Sequence, residues 1–230
     1  MIGVYDYTVI LTYLSLVSGV VGIIVTVTGV GHPDIGIFFL MTSGILDAFD
    51  GRVARTKKDR TDFEKNFGVQ IDSLADLICF GVLPPSIGLA QLRISGIFTE
   101  IVSRKNYEGR FSVLVLLITI AVFYVLAALI RLAYFNATIE VRKEEAEKTG
   151  VMHYIGLPVT ASALIFPLVM VVHFFCRWDL SIFYFVVMLV VAIFFVMNIK
   201  VRKPGKIGLS IIILIGLIEF IASIVAYVYY

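Results

Sequence analysis

Cysteine and charge are both scarce in this sequence, and each scarcity excludes a class of protein. The 230 residues include only 2 cysteines. Cys79 and Cys176 both fall in apolar segments and lack metal-type spacing, so we expect buried thiols and no disulfide scaffold. Charged residues make up 16% of the chain and hydrophobic residues 60%. Since a soluble domain is roughly 45–50% apolar, this composition indicates a polytopic membrane protein.

The N-terminus lacks the basic residues of a secretory signal, because Asp6 is the only charge before the first apolar run. That run begins at Tyr7 and is long enough to be a retained membrane helix. Seven stretches reach the length of about 20 apolar residues that a spanning helix needs. We expect an all-α membrane protein with a single catalytic domain over residues 1–230. Its core covers about residues 7–200, and an extra C-terminal span covers about residues 207–228.

Basic residues are distributed unevenly between the two sides that these spans would define. With the N-terminus inside, fourteen of the 19 Lys and Arg residues fall on the inner side and five on the outer side. Cytoplasmic loops carry the excess of Lys and Arg. The sequence therefore predicts a cytoplasmic N-terminus in a cell membrane, and it places the polar residues that end the second span on the cytoplasmic side.

Four aspartates stand out among the apolar spans. Asp47 and Asp50 are three residues apart at the end of the second span, and Asp72 and Asp76 are four residues apart at the start of the third. These spacings place each pair on one helical face. Carboxylates in such a setting are costly and usually functional, and two facing pairs can hold one or two hard divalent ions such as Mg²⁺ or Mn²⁺.

The residues around the aspartates favour a phosphate ligand. Gly51, Ala54 and Gly68 have little or no side chain on the acidic faces, so a bulky ligand could approach the backbone. Arg55 supplies a planar donor group that suits phosphate oxygens. Together they predict a site for metal and diphosphate at the membrane surface.

The whole segment reads Asp47-x-x-Asp50-Gly51-x-x-Ala54-Arg55, then twelve residues, then Gly68-x-x-x-Asp72-x-x-x-Asp76. This long pattern resembles the signature of the CDP-alcohol phosphotransferases. The resemblance covers roughly the first six spans and implies a six-helix bundle, to which the seventh transmembrane helix is an addition. The gap between Arg55 and Gly68 is longer than the family usually has. The extra residues either add about one helical turn or lengthen a cytoplasmic loop.

The resemblance also implies an activity, because residues 72–84, 131–136 and 156–158 are similar to the branch whose acceptor is L-serine. CDP-diacylglycerol would donate its phosphatidyl group to serine, giving phosphatidylserine and CMP, in a membrane-embedded homodimer that binds two divalent metal ions and no nucleic acid. The implied metal ligands are Asp47, Asp50, Asp72 and Asp76, and Asp76 is the expected general base. The implied CDP-lipid contacts are Gly51, Ala54, Arg55, Gly68 and Ser15, which replaces an Asn of many relatives. The expected serine contacts are Arg131, Asn136 and Lys200.

Several alternatives stay open at this point. The aspartates could instead pair with Arg52 and Arg55 as salt bridges between helices, and Ser15 could bond to a neighbouring helix. The same chemistry could use inositol phosphate, glycerol phosphate or choline as acceptor, or CDP-archaeol as donor. A cation transporter with carboxylates along its ion pathway is the alternative from another functional class.

Overall fold

The computed structural model describes residues 2–29, 32, 34–104, 107–139, 141, 153–202 and 206–229. Within these residues the chain is almost entirely helical. The helices are α1 (Ile10–Thr28), α2 (Ile35–Ala54), α3 (Asp62–Asp76), α4 (Leu83–Gln91), α5 (Gly96–Arg104), α6 (Tyr107–Ala137), α7 (Ser162–Cys176), α8 (Ser181–Val196) and α9 (Lys206–Tyr229). The expected all-α polytopic architecture is confirmed. A pair of short antiparallel strands, β1 (His153–Ile155) and β2 (Lys200–Arg202), was not predicted.

The chain is an integral membrane protein by the length and composition of its helices. In the described part of the chain, four helical stretches are long and apolar enough to cross a membrane: residues 10–28, 62–91, 111–137 and 159–176. Shorter apolar helices cover Ser181–Val196 and Ile213–Val225. Helix α2 is 20 residues long but carries Asp47, Asp50 and Arg52 near its end. The expected total of seven complete spans stays a prediction.

Helix α1 presents large apolar side chains outward and small or polar residues inward. Its exposed residues include Ile10, Leu14, Val17, Val20, Ile24 and Val27. Its buried residues are Thr12, Ser15, Ser18, Gly19, Gly22 and Thr26. This pattern suits a lipid environment, where small residues allow close packing of helices. A Cβ atom on Gly22 would lie only 2.7 Å from the Cβ of Phe39 in α2, so the two helices approach closely.

A π-helix, Leu77–Val82, interrupts the third span between α3 and α4, just before Pro84 and Pro85. Pro84 has no N–H group and cannot bond to the carbonyl of Phe80 one turn earlier. The hydroxyl of Tyr124 in α6 donates to that carbonyl instead, at 2.8 Å. The π-helix begins directly after Asp76, so this tyrosine supports the backbone next to the acidic residues.

Gly156 lies before the start of the helical segment that leads into α7. At this residue the backbone turns with φ 75°, and a Cβ atom there would lie 2.9 Å from the carbonyl oxygen of Phe195. The Gly156 N–H donates to the carbonyl of Ile199 at 2.7 Å, which continues the contact between the β1 and β2 segments. The chain becomes helical only from Val159 onwards. The glycine therefore allows the connection into α7 to pass close against the end of α8.

An aromatic core holds the π-helix, α4, α6, α7 and α8 together. The ring of Phe166 lies 5.7 Å from that of Tyr124 and 4.8 Å from that of Tyr184, measured between centroids. The Tyr184 hydroxyl donates to the Pro84 carbonyl at 3.1 Å, so it also supports the interrupted helix. Cys79 is buried in this core as expected, but Cys176 is exposed at the end of α7, and both thiols are free.

Candidate metal centre

Helices α2 and α3 bring the four aspartates together. The carboxyl groups of Asp47 and Asp76 lie within hydrogen-bonding reach of each other, and so do those of Asp50 and Asp72. This crossed pairing is what two antiparallel helices produce when each carries its acidic pair on the facing side. The spacing of the sequence motif is therefore converted into one compact cluster.

The geometry of this cluster fits a divalent cation. One carboxylate oxygen from each of Asp47, Asp50 and Asp72 lies within 4.8 Å of the other two. Oxygens that bind the same Mg²⁺ or Ca²⁺ ion at about 2.0–2.6 Å can be at most about 4–5 Å apart. Three ligands of one ion can thus come from these side chains. Asp76 lies beside this group of three, in contact with Asp47.

The salt-bridge interpretation of the aspartates is not supported in the described part of the chain. None of the ion pairs found there involves Asp47, Asp50, Asp72 or Asp76. Arg52 is exposed and lies over the ring of Phe49, 5.8 Å from its centroid. Among the described residues, no basic side chain pairs with the cluster. Its carboxylates are therefore available to a bound cation, which would offset their charge.

Helix α1 provides a partner that the sequence analysis missed. The hydroxyl of Thr12 donates to Asp50 Oδ2 at 2.9 Å, and both residues are buried. Hydrogen bonds of this kind orient carboxylates that bind metals. The predicted Ser15 lies one turn further along, where its hydroxyl donates to the carbonyl of Ser43 at 3.3 Å. The facing hydroxyl of Ser43 donates back to the Ser15 carbonyl at 3.1 Å, so these residues join α1 to α2.

A cavity of about 170 Å³ opens beside the acidic cluster. It brings together most of the residues expected to contact the CDP-lipid, and Ser15 is not among the described residues that line it. The lining residues are Thr8, Val9, Thr12, Asp50, Gly51, Ala54, Arg55, Arg60, Lys65, Gly68, Val69 and Asp72. Two carboxylates and three basic side chains line this cavity, so it has charges suited to a metal ion and to an anion.

Arg60 and Lys65 are the basic residues that the sequence analysis did not assign to the site. Both come from the long gap between Arg55 and Gly68. Much of that gap is helical, because α3 begins at Asp62, six residues before Gly68. The capping box of Thr61 and Glu64 fixes this start. This capping pattern and the basic residues inside the gap were the available sequence signals.

An ionic clamp fixes the loop before α3 to the N-terminal segment. Lys57 Nζ lies 2.8 Å from Asp6 Oδ2 and 2.7 Å from Glu64 Oε1. The hydrogen bond from Lys57 is the main cause that lowers the pKa of Asp6 to about 2. The two carboxylates raise the pKa of Lys57. The clamp holds two segments that contribute to the cavity wall.

The residues expected to bind serine lie on α6 and near β2. Asn136 Nδ2 donates to the hydroxyl of Ser73, the neighbour of Asp72, at 2.9 Å. Its Oδ1 is buried and has no hydrogen-bond partner among the described residues. Arg131 is 5% exposed, and its Nε donates to the carbonyl of Leu157 at 3.1 Å. Lys200 belongs to β2, and its side chain lies outside the described residues.

A larger cavity of about 600 Å³ lies at the other end of the bundle. One of its lining residues, Gln91, donates to Asp34 at the start of α2, whereas the aspartates occupy the last turns of that helix. The helical rise puts roughly 20 Å between these levels. Asp179 is the single carboxylate among the described lining residues, and it already accepts from the Ser95 hydroxyl at 2.7 Å. We therefore assign the candidate site to the smaller cavity.

These features define a class: a polytopic membrane protein with a cluster of carboxylates that could hold a metal ion, next to a cavity lined by basic side chains, at one end of its helices. The chain belongs to the CDP-alcohol phosphatidyltransferase family, whose sequence model matches residues 8–197.

Three relatives share the name CDP-diacylglycerol–serine O-phosphatidyltransferase. The Saccharomyces cerevisiae protein is 33% identical over 129 residues, which is 56% of this chain and 38% of that protein. The Helicobacter pylori protein is 30% identical over 128 residues, covering 56% and 42%. The Methanocaldococcus jannaschii protein is 25% identical over 165 residues, covering 72% and 59%. The matches therefore span about two fifths to three fifths of the length of these relatives.

Proposed function

We propose that this protein transfers the phosphatidyl group of CDP-diacylglycerol to L-serine, forming phosphatidylserine and releasing CMP. The observation that carries the proposal is the set of three carboxylate oxygens within 4.8 Å of one another, beside a cavity lined by Gly51, Arg55 and Gly68. The names of the three relatives favour serine as the acceptor.

We assign the binding of CDP-diacylglycerol to residues of the acidic cluster and the cavity wall. Asp47, Asp50 and Asp72 would hold the divalent metal, Mg²⁺ or Mn²⁺, and Asp76 lies close enough to help hold a second ion. A bound ion of this kind polarises a phosphoryl oxygen and stabilises charge on the leaving group. Gly51 leaves room for the diphosphate, and Arg55 donates hydrogen bonds to its oxygens.

The reaction then needs a base and an acceptor site. The serine hydroxyl oxygen attacks the phosphorus that carries diacylglycerol, and the bond from that phosphorus to the CMP oxygen breaks. CMP leaves with the bonding electron pair, and Asp76 takes the hydroxyl proton. Arg131 is our assignment for the serine carboxylate, with Lys200 as a second cation. The unpartnered Asn136 Oδ1 is suited to accept from the serine ammonium group.

We further propose that the protein lies in the cell membrane with its N-terminus inside and the active site facing the cytoplasm. The support is the excess of Lys and Arg on that side, fourteen of 19. The family resemblance supports a homodimer, which the size of the purified protein in detergent would test.

Release of CMP from membranes that contain the protein is the direct test. We expect release with CDP-diacylglycerol, L-serine and Mg²⁺ or Mn²⁺ together, and none when serine is omitted or a chelator is added. Asp50→Asn should lose the activity, whereas Asp59→Asn, in the exposed part of the loop, is the matched control that should keep it. Folded wild-type protein that releases no CMP with serine would contradict the proposal.

The same assay separates the alternatives left open by the sequence. Inositol phosphate, glycerol phosphate and choline replace serine in one series, and CDP-archaeol replaces the donor in another. A cation transporter would instead carry Mg²⁺ into liposomes without any nucleotide. The aspartates of α2 occupy its last two turns and not its middle, which argues against an ion path through the membrane centre.

A further inference from the structure

Arg60 lies at the cavity beside the acidic cluster, although it belongs to no part of the family signature. It comes from the gap between Arg55 and Gly68, two residues before α3 begins at Asp62. Its side chain lines the same cavity as Asp50 and Asp72. A residue from the variable gap therefore contributes directly to the candidate site.

In the described part of the chain, the guanidinium group of Arg60 donates one hydrogen bond within the protein. Its Nη2 donates to the backbone carbonyl of Glu64 at 3.0 Å. Its Nε is buried and has no hydrogen-bond partner among the described residues. A buried donor without a partner is destabilising, and an arginine offers five donors in one plane. Because the Arg60 side chain lines the cavity, an anionic ligand there could accept from guanidinium donors other than the one bonded to Glu64.

Gly68 provides the space that Arg60 occupies. A Cβ atom at this position would lie 2.7 Å from Arg60 Nη2. The missing side chain of Gly68 was expected to make room for a ligand. It also makes room for the guanidinium group of Arg60. The guanidinium group therefore lies against the first turns of α3, at Gly68, which is one turn before Asp72.

The charges around the cavity remain separated. In the described part of the chain, Arg55 and Arg60 form no ion pair. Asp50 and Asp72, which line the same cavity, form none either. A metal-bound diphosphate has a positive side for the carboxylates and negative oxygens for the arginines. Such a ligand would neutralise both groups at once, which direct contact between the side chains does not achieve here.

We propose that Arg60 binds the diphosphate of the CDP-lipid and so acts as an additional donor-recognition residue supplied by the long gap. This inference rests on the proposed function and deepens it. Arg60 is expected to contact phosphate oxygens and to have no part in recognising cytosine or ribose. Its loss should therefore weaken binding of nucleotides in proportion to their phosphate content.

The test compares Arg60→Gln and Arg60→Lys with Lys58→Gln, a control that removes an exposed charge two residues away and outside the cavity. Binding of CDP, CMP and cytidine to the purified protein in detergent with Mg²⁺ is measured by calorimetry, and the KM for CDP-diacylglycerol by CMP release. A hydrogen bond to a charged group corresponds to roughly a ten- to hundredfold change in affinity. We expect Arg60→Gln to raise the CDP Kd and the CDP-diacylglycerol KM by that factor and to leave cytidine unchanged.

Two other variants test the same contact between Arg60 and the diphosphate. Arg60→Lys should recover part of the affinity, because it keeps the charge but loses the planar set of donors. Gly68→Ala should also weaken CDP binding, because its methyl group would displace the guanidinium. Thermal unfolding in detergent identifies any variant that fails to fold, and Arg60→Lys then provides the comparison.

The outcomes separate this inference from the proposed function. Unchanged CDP binding by Arg60→Gln would overturn the role of Arg60, even where the wild type releases CMP normally. Equal weakening of CDP and cytidine would also overturn it, because Arg60 would then support the shape of the cavity and not the phosphates. A wild-type protein that releases no CMP contradicts the proposed function, while the calorimetric comparison still tests Arg60.

Discussion

Replacing Thr12 by valine should weaken metal binding without touching any of the four aspartates. Valine keeps the shape of threonine but lacks the hydroxyl that donates to Asp50 Oδ2 at 2.9 Å. Thr12 is 5% exposed and Asp50 9%, so water cannot easily replace the lost donor. A hydrogen bond to a charged acceptor contributes about 1.5–3 kcal/mol, and each 1.4 kcal/mol is a factor of ten. The metal concentration for half-maximal activity should therefore rise roughly ten- to hundredfold.

The assay is CMP release as a function of Mg²⁺ or Mn²⁺ concentration at saturating CDP-diacylglycerol and serine. Thr26→Val is the matched control, because Thr26 lies in the same helix and is fully buried. Among the described residues, its hydroxyl donates to carbonyls of its own helix, those of Gly22 and Ile23. A folded Thr12→Val protein with the metal dependence of the wild type would refute the idea that α1 orients the Asp50 carboxylate.

The roles of Asp76, Arg131, Tyr124 and Asp6 can each be tested by one further experiment. Asp76→Asn should abolish turnover but retain most CDP binding by calorimetry; near-normal rates would disprove its role as base. Arg131→Ala should raise the serine KM more than the CDP-diacylglycerol KM, and an unchanged serine KM would remove it from the acceptor site. Tyr124→Phe should lower the stability by about 1–3 kcal/mol, since a buried carbonyl loses its donor; an unchanged melting temperature in detergent would contradict this. The contribution of Asp6 to stability is present above its usual pKa of 3.8 and is lost as the pH falls toward about 2. Protection of the N-terminal amides from hydrogen exchange, relative to an unfolded chain at the same pH, should therefore fall over that range in the wild type, but in Lys57→Gln it should already be low at neutral pH.

The metal cluster could be predicted from the sequence because its residues lie on two adjacent helices with helical spacing. Once Asp47 and Asp50 share one face and Asp72 and Asp76 share another, the two helices need only turn these faces toward each other to bring the carboxylates together. The membrane character was equally readable, because long apolar stretches need no partner to be recognised.

The partners of the cluster could not be read in the same way. Thr12 and Ser15 both lie on the buried face of α1, and only the rotation of that helix decides which of them meets Asp50. The role of Arg60 depends on where α3 begins and on the space left at Gly68. The bond from Tyr124 to the Phe80 carbonyl joins residues 44 positions apart.

The sequence by itself determined the membrane class, the family and the four carboxylates, because local periodicity and composition encode them within single helices. Only the tertiary structure decided which hydroxyl orients Asp50, which arginines face the cavity, and how the helix interrupted by proline is supported. Those outcomes depend on the rotation and close approach of separate helices, and such packing is fixed by contacts between residues far apart in the chain.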